Sequence, residues 1–159
     1  MSAANVLLKP EECAMLLVDF QAGLGFGVES IPRQLVVNNA VGLARTAVAF
    51  KVPVASTSAS RVYSGPLLPA LQEALPAVKP IERRSMNVWE DDTARNAVVA
   101  TNRRRLIIAG FLTEACVSFP TLSSLKDGFE VFVVGDACGG LAPKSHEVAL
   151  GRLEQEVFA

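Results

Sequence analysis

Arg105-Leu106-Ile107-Ile108-Ala109-Gly110 is apolar at every position after its first residue. A strand with one wet face alternates polar and apolar residues, so an unbroken apolar run predicts a strand covered on both sides. Ala14-Met15-Leu16-Leu17-Val18-Asp19 upstream and residues 130–135 downstream share the pattern. Residues 52–57 read as a further strand and 78–82 as a short one. Between these runs lie segments with helical spacing. They are 31–50 (with Leu35, Val36, Leu43 and Val48), 67–75, 93–101, 116–126 and 145–158 (with Val148, Leu153 and Val157). Strands alternating with helices predict βαβ units and a parallel sheet. Neither a repeat nor a linker divides the chain, so residues 1–159 are expected to form one domain. The chain stops in or just after its last helical segment, where a helix-covered sheet calls for another strand. Residues 130–135 are then expected at an open edge, and Val131-Phe132-Val133-Val134 is a pairing hazard there. Either a partner chain covers that edge or the chain is a shortened form of a longer protein.

Of the 159 residues, 50% are hydrophobic and 19% charged, with a formal net charge of −1. This composition excludes a disordered chain. It also argues against a general nucleic-acid binder, which must neutralise phosphates. The apolar runs are too short to span a bilayer, and the N-terminus shows no basic segment followed by an apolar stretch. Three cysteines, Cys13, Cys116 and Cys138, point to a reducing compartment, most simply the cytoplasm. The single histidine, His146, rules out a multi-histidine metal site and any Ser-His or Cys-His hydrolase built from this chain alone. No metal and no cofactor are expected.

Asp19 closes an apolar strand, where a charge is costly unless paired or at the rim of the sheet. Sites in open parallel sheets form beyond the carboxyl ends of the strands, where strand order reverses. Asp19 is therefore either a general base or a cap on the following turn. Cys116 opens a helical segment just after the 105–110 strand. Free N–H groups and the helix dipole at such a place lower a thiol's pKa. The alternative is a small buried hydrophobe, a common fate of free cysteine. Arg83 and Arg84 follow the short third strand. Either both are solvated, or one approaches Cys116, favours its thiolate and anchors a polar substrate. Arg103-Arg104-Arg105 reads as a solvated turn. Gly23, Gly25 and Gly27 do not complete G-x-G-x-x-G, because Val28 stands at the third glycine position, so they read as a flexible loop beside the site. Ser145 reads as a helix N-cap, with His146 in the first turn behind it.

Three segments together resemble a family. They are Leu16-Leu17-Val18-Asp19-Phe20-Gln21, Ile108-Ala109-Gly110-Phe111-Leu112-Thr113-Glu114-Ala115-Cys116-Val117 and Val133-Val134-Gly135-Asp136-Ala137. They are similar to the isochorismatase-like cysteine hydrolases. Ser64-Gly65-Pro66-Leu67, Asn87-Val88-Trp89-Glu90-Asp91 and Phe119-Pro120-Thr121-Leu122-Ser123 resemble the YcaC-like branch in particular. The resemblance runs from about residue 13 to about residue 153. It implies an α/β fold: a three-layer, mostly parallel Rossmann-like sheet of order 3-2-1-4-5, its sixth strand absent, with helices on both faces. It also implies that Asp19 and Cys116 meet across neighbouring strand ends. Asp19 matches the family's base and Cys116 its nucleophile. Arg83 stands where the family usually has lysine, with Arg84 as its rival.

The resemblance further implies a cis peptide at Leu112–Thr113, which turns backbone N–H groups toward an oxyanion. A cis bond before a non-proline residue costs about 3–4 kcal/mol and is tolerated where a site uses it. Nicotinamidases of the superfamily hold a metal with an Asp and two His, which this chain cannot supply. True isochorismatases cleave a vinyl ether without a cysteine nucleophile, so Cys116 points to an acyl or imidoyl carbon.

The function expected on these grounds is hydrolysis of a C–N bond in a small amide-like molecule. The backbone N–H groups of Thr113 and Cys116 hold the oxyanion. Phe20, Gln21, Phe26, Asn87, Trp89 and Phe111, with Phe119, contact the substrate. The expected partners are a small-molecule substrate and copies of the same chain, with no nucleic acid and no membrane. A second reading is an inactive, shortened assembly module of the same fold. A third, a redox sensor, needs Cys138 within disulfide reach of Cys116.

Overall fold

β1 (Cys13–Val18) is buried at all six positions, so both of its faces are covered. In the computed structural model, which describes residues 7–157, it lies at the centre of a five-stranded sheet of order β3-β2-β1-β4-β5. β2 (Val54–Ser58), β3 (Ile81–Glu82), β4 (Arg105–Gly110) and β5 (Glu130–Val133) complete the sheet, and every pairing is parallel. The chain steps outward from β1 to β2 to β3, then returns to lay β4 on the other side of β1. Strand order therefore reverses between β1 and β4. Their register sets Val18 opposite Gly110, so the segments that follow leave the sheet side by side.

That closeness needs glycine at residue 110. A Cβ there would lie 2.5 Å from the Val18 carbonyl oxygen and 2.7 Å from Val18 Cβ. The third strand is only two residues long, against the expected 78–82. Pro80 has no N–H to offer a ladder, and pairing with β2 begins at Ile81.

Two groups of helices cover the sheet. α2 (Arg33–Ala49) buries Val36, Ala40, Ala44 and Ala47 and packs against α4 (Pro69–Ala74). α5 (Asp92–Val99) packs on β1 and β2; its N-terminus is capped by Asp91, whose carboxylate accepts from the N–H groups of Thr93 and Ala94. α6 (Ser118–Lys126) and α7 (Pro143–Val157) pack on each other, and α6 also packs on β5. Phe158, expected at the end of the last helix, lies outside the described residues. Ser145 is inside α7 rather than its cap, because Pro143, pre-set for a first turn, starts the helix earlier.

Two short helices carried no clear sequence signal: α1 (Ala22–Phe26) and α3 (Arg61–Ser64). α1 contains Gly23 and Gly25, so the expected flexible glycine loop is a helix. Its glycines serve close packing. A Cβ on Gly23 would stand 2.7 Å from the Ser64 carbonyl oxygen, and one on Gly25 3.2 Å from the Phe111 ring. β5 is an edge strand, and beside it Val131, Phe132, Val133, Leu150 and Leu153 line an open groove against α7. Arg105 does not sit in a solvated turn; it bonds Glu12 at 2.6 Å and Glu130 at 3.1 Å across the lower end of the sheet.

Candidate active site

Asp19 follows β1 directly and takes a left-handed backbone conformation, with φ 52°. Such a conformation costs a non-glycine residue about 1–3 kcal/mol and persists where the surroundings over-determine it. Here they do. Asp19 N–H donates to the Thr57 carbonyl at 3.2 Å, and its own carbonyl accepts from Gln21 N–H at 2.7 Å. Its side chain is fully buried. The carboxylate accepts the Thr57 hydroxyl on Oδ1 at 2.9 Å. Arg83 Nε donates to Oδ2 at 3.0 Å, and Arg83 Nη2 also bonds Oδ2.

Arg83 extends β3, its N–H donating to the Ser58 carbonyl at 2.9 Å, and is 6% exposed. Its Nη1 bonds the Ser85 carbonyl. Its Nη2, besides holding Asp19, donates to Cys116 Sγ at 3.1 Å. One guanidinium thus touches both the carboxylate and the sulfur. The neighbouring Arg84 is exposed and makes no such contact. Buried ion pairing holds the Arg83 guanidinium above its ordinary pKa despite desolvation.

Cys116 sits in a π-helical turn, Thr113–Val117, that leads into α6, and is 2% exposed. The expected lowering of its pKa is reversed. Burial first, then the negative charge of Asp19, push the thiol up to about 12, while Arg83 draws it the other way. The resting site therefore carries a neutral thiol beside a carboxylate–guanidinium pair. Moving the thiol proton to Asp19 leaves the buried total charge unchanged, whereas losing it to water would bury a net negative charge.

The turn before Cys116 also differs from expectation. Among the described residues no peptide bond is cis, so the expected cis bond at Leu112–Thr113 is absent. The chain turns instead through Leu112 in the left-handed region, at φ 58° and ψ 65°. Thr113 N–H is not free for an oxyanion, because it donates to the Gly139 carbonyl at 3.1 Å. Its neighbour Leu112 N–H has no acceptor among the described residues.

The expected substrate contacts divide. Gln21 is fully buried and spends its amide on the frame: Nε2 donates to the Ala59 and Gly65 carbonyls, and Oε1 accepts Ala59 N–H at 2.7 Å. Phe20 and Phe111 pack edge to face, centroids 4.8 Å apart, inside the core. Asn87 accepts Trp89 N–H and donates to Ser123 Oγ. Trp89 is buried, its indole N–H donating to Asp127 Oδ2 at 2.8 Å. Phe26 is 75% exposed, with the Arg33 guanidinium over its ring. Phe119 is at the surface. An open cleft of about 390 Å³ reaches Arg83 and is lined by Ala59, Ser60, Glu82, Arg83, Arg84, Ser85 and Met86, with neither Asp19 nor Cys116 in its wall. Ser60, Ser85 and Met86 went unmarked in the sequence, because they lie in loops with no motif. Among the described residues no three His, Cys, Asp or Glu side chains gather as a metal site, and the three cysteines are free. Cys138 is sealed in the core, its thiol pushed up to about 12 by burial.

A parallel sheet that reverses order between β1 and β4, with Asp19 past one strand and Cys116 past the other, fits the isochorismatase family, and the chain belongs to it: residues 13–159 match the isochorismatase domain. Within that family it is 40% identical to the probable hydrolase YcaC of Escherichia coli (strain K12), over 157 residues that are 98% of this chain and 76% of YcaC. The crystal structure of E. coli YcaC, an octameric hydrolase of unknown specificity, superposes with a TM-score of 0.92 at 38% identity, covering 98% of this chain and 77% of that one. YcaC from Pseudomonas aeruginosa, with hexane-2,5-diol and covalent acrylamide, matches equally, at TM-score 0.92 and 38% identity over 98% of this chain and 78% of that one. The nicotinamidase PncA of Bacillus subtilis, at 14% identity and TM-score 0.75 over 93% of this chain and 97% of that one, shares the fold.

Proposed function

We propose that the chain hydrolyses a C–N bond of a small amide-like substrate through a thioester on Cys116. The observation that carries this is Arg83, whose Nη2 bonds both Asp19 and Cys116 Sγ. Asp19 takes the thiol proton, and Arg83 holds the thiolate. The sulfur adds to the carbonyl carbon. The oxyanion is held by Cys116 N–H and, in place of the occupied Thr113 N–H, by Leu112 N–H. As the C–N bond breaks, the leaving nitrogen takes the proton from Asp19. Asp19, again a carboxylate, then takes a proton from water, and the hydroxide attacks the thioester. The expelled sulfur recovers its proton from Asp19. The assembled triad favours this over the inactive-module reading, since a buried acid, cation and thiol are costly to retain as packing.

A panel of small amides tests the proposal with Cys116→Ala and Cys116→Ser. Both are expected to lose turnover by at least about 10³-fold. Full turnover in the alanine variant overturns the nucleophile assignment.

The chain is further proposed to assemble with itself, in a reducing cytoplasm. E. coli YcaC is octameric, and here Phe26, Val62, Tyr63, Met86 and Leu141 stand more than half exposed on segments that follow the strands. Light scattering behind size exclusion checks this; a monomer at all concentrations contradicts it. No helix of the described residues is long and apolar enough to cross a membrane.

A further inference from the structure

We propose that His146 is a positioning residue for Cys116, acting through Thr113. The inference rests on Cys116 being the working group of the site. His146 is the chain's single histidine and is 6% exposed. Its Nδ1 lies 2.8 Å from Thr113 Oγ1, three residues before the sulfur. Thr113 is held on every polar atom: N–H to the Gly139 carbonyl, hydroxyl to His146, and carbonyl accepting Ser118 Oγ at 2.6 Å. The next residue is held from the same side. Glu114 Oε1 accepts Leu141 N–H at 2.9 Å and Ser145 Oγ at 3.2 Å. The first turn of α7 and the loop before it thus clamp two consecutive residues of the turn that carries the nucleophile.

That turn needs outside support. It enters through left-handed Leu112 and runs as a π-helical turn, two arrangements that the chain does not hold by itself. Gly140 lets the clamp close, since a Cβ there would stand 2.8 Å from Glu114 Oε2 and 3.0 Å from His146 Cβ. Glu114 from the turn and Glu147, the next residue of α7, are the acidic groups whose charge reaches the ring. Burial outweighs them and draws the ring's pKa down. A threonine hydroxyl both donates and accepts, so either neutral tautomer keeps the link. His146 is accordingly a strut for the turn.

The test reads acrylamide addition at residue 116 by peptide mass, beside turnover and thermal melting, in full-length variants. His146→Leu is expected to slow addition and lower kcat by on the order of tenfold or more, with KM unchanged and a cooperative melt retained. His146→Asn, which returns a polar atom near the Nδ1 position, is expected to recover most of both. Thr113→Val should repeat the loss and Thr113→Ser should not. A folded His146→Leu variant that adds acrylamide at the parent rate overturns the proposal, as does a His146→Asn variant as slow as His146→Leu. If His146→Leu does not fold, equal addition rates in the two Thr113 variants overturn it. Addition to the sulfur requires no amidase turnover, so a failed hydrolysis screen with a clear His146 effect refutes the reaction and leaves the strut standing.

Discussion

The Thr57 hydroxyl donates to Asp19 Oδ1 over 2.9 Å, from the last β2 residue paired with β1 to the residue just past β1. It helps fix the plane of the carboxylate against Arg83, whose Nε donates to Oδ2 at 3.0 Å and to Oδ1 at 3.3 Å. Thr57→Val keeps the shape and removes the donor. A hydrogen bond to a buried charged group contributes about 1.5–3 kcal/mol. The variant is expected to lose stability in that range in a denaturant melt and to lower kcat more than it raises KM.

Asp19→Asn separates two roles of the acid. Asp19 is the second cause, after burial, of the raised Cys116 pKa, while Arg83 acts to lower it. Removing the carboxylate leaves the guanidinium to the sulfur. Iodoacetamide should then label residue 116 faster at pH 7 than in the parent. Turnover should fall by about 10²–10⁴-fold, because no group remains to carry the proton to the leaving nitrogen. Slower labelling together with lost turnover contradicts this account of the thiol.

Gly110→Ala and Gly42→Ala are expected to move in opposite directions. At residue 110 a methyl group meets the Val18 backbone at 2.5 Å, which forces β1 and β4 apart where Asp19 and Cys116 depart. Strain of this kind costs about 1–3 kcal/mol or more, and activity should fall with it. Gly42 lies exposed inside α2 with nothing within 4 Å of the added carbon. Alanine there should stabilise by about 0.4–1 kcal/mol. Melting temperatures of the two variants decide the matter.

Stability should fall on both sides of neutrality. Cys116 and Cys138 both stand at about 12 when folded, against an ordinary value of 9.0. Above pH 9 the unfolded chain loses these protons while the folded one keeps them, so stability drops as pH rises from 9 toward 12. His146 is lowered from 6.5, burial being the first cause. As pH falls through 6.5 the unfolded chain gains a proton that the folded one refuses, so stability drops there too. Melting temperature against pH should show both limbs, and Cys138→Ala should flatten the alkaline one. A melting temperature still climbing above pH 9 contradicts the burial of these thiols.

A covered parallel sheet was legible because unbroken apolar runs mark strands buried on both faces, whereas the order of its strands came from the family resemblance; Asp19 and Cys116 stood out because each follows such a run. Arg83 was not separable from Arg84 by residue type. Only the register of a two-residue strand turns one inward and leaves the other in water. The direction of the Cys116 shift was misread because helix position is local, whereas burial is a sum over the whole fold. Gly23 read as part of a flexible loop because its reason, the Ser64 carbonyl, lies some forty residues away. His146 looked idle for the same cause: nothing near it in the chain announces Thr113. Gln21, Asn87 and Trp89 were expected against the substrate, but their polar atoms are spent on the surrounding fold, a pairing that residue type alone does not reveal.

Trp89 is the chain's single tryptophan, seated edge-on to Phe129 and tied to Asp127 at the C-terminal end of α6, the helix that follows the Cys116 turn. The molecule therefore carries its own optical gauge. Emission from one indole, short in wavelength while that seam is dry and red-shifted once water enters, reports the integrity of the scaffold under Cys116 without any label.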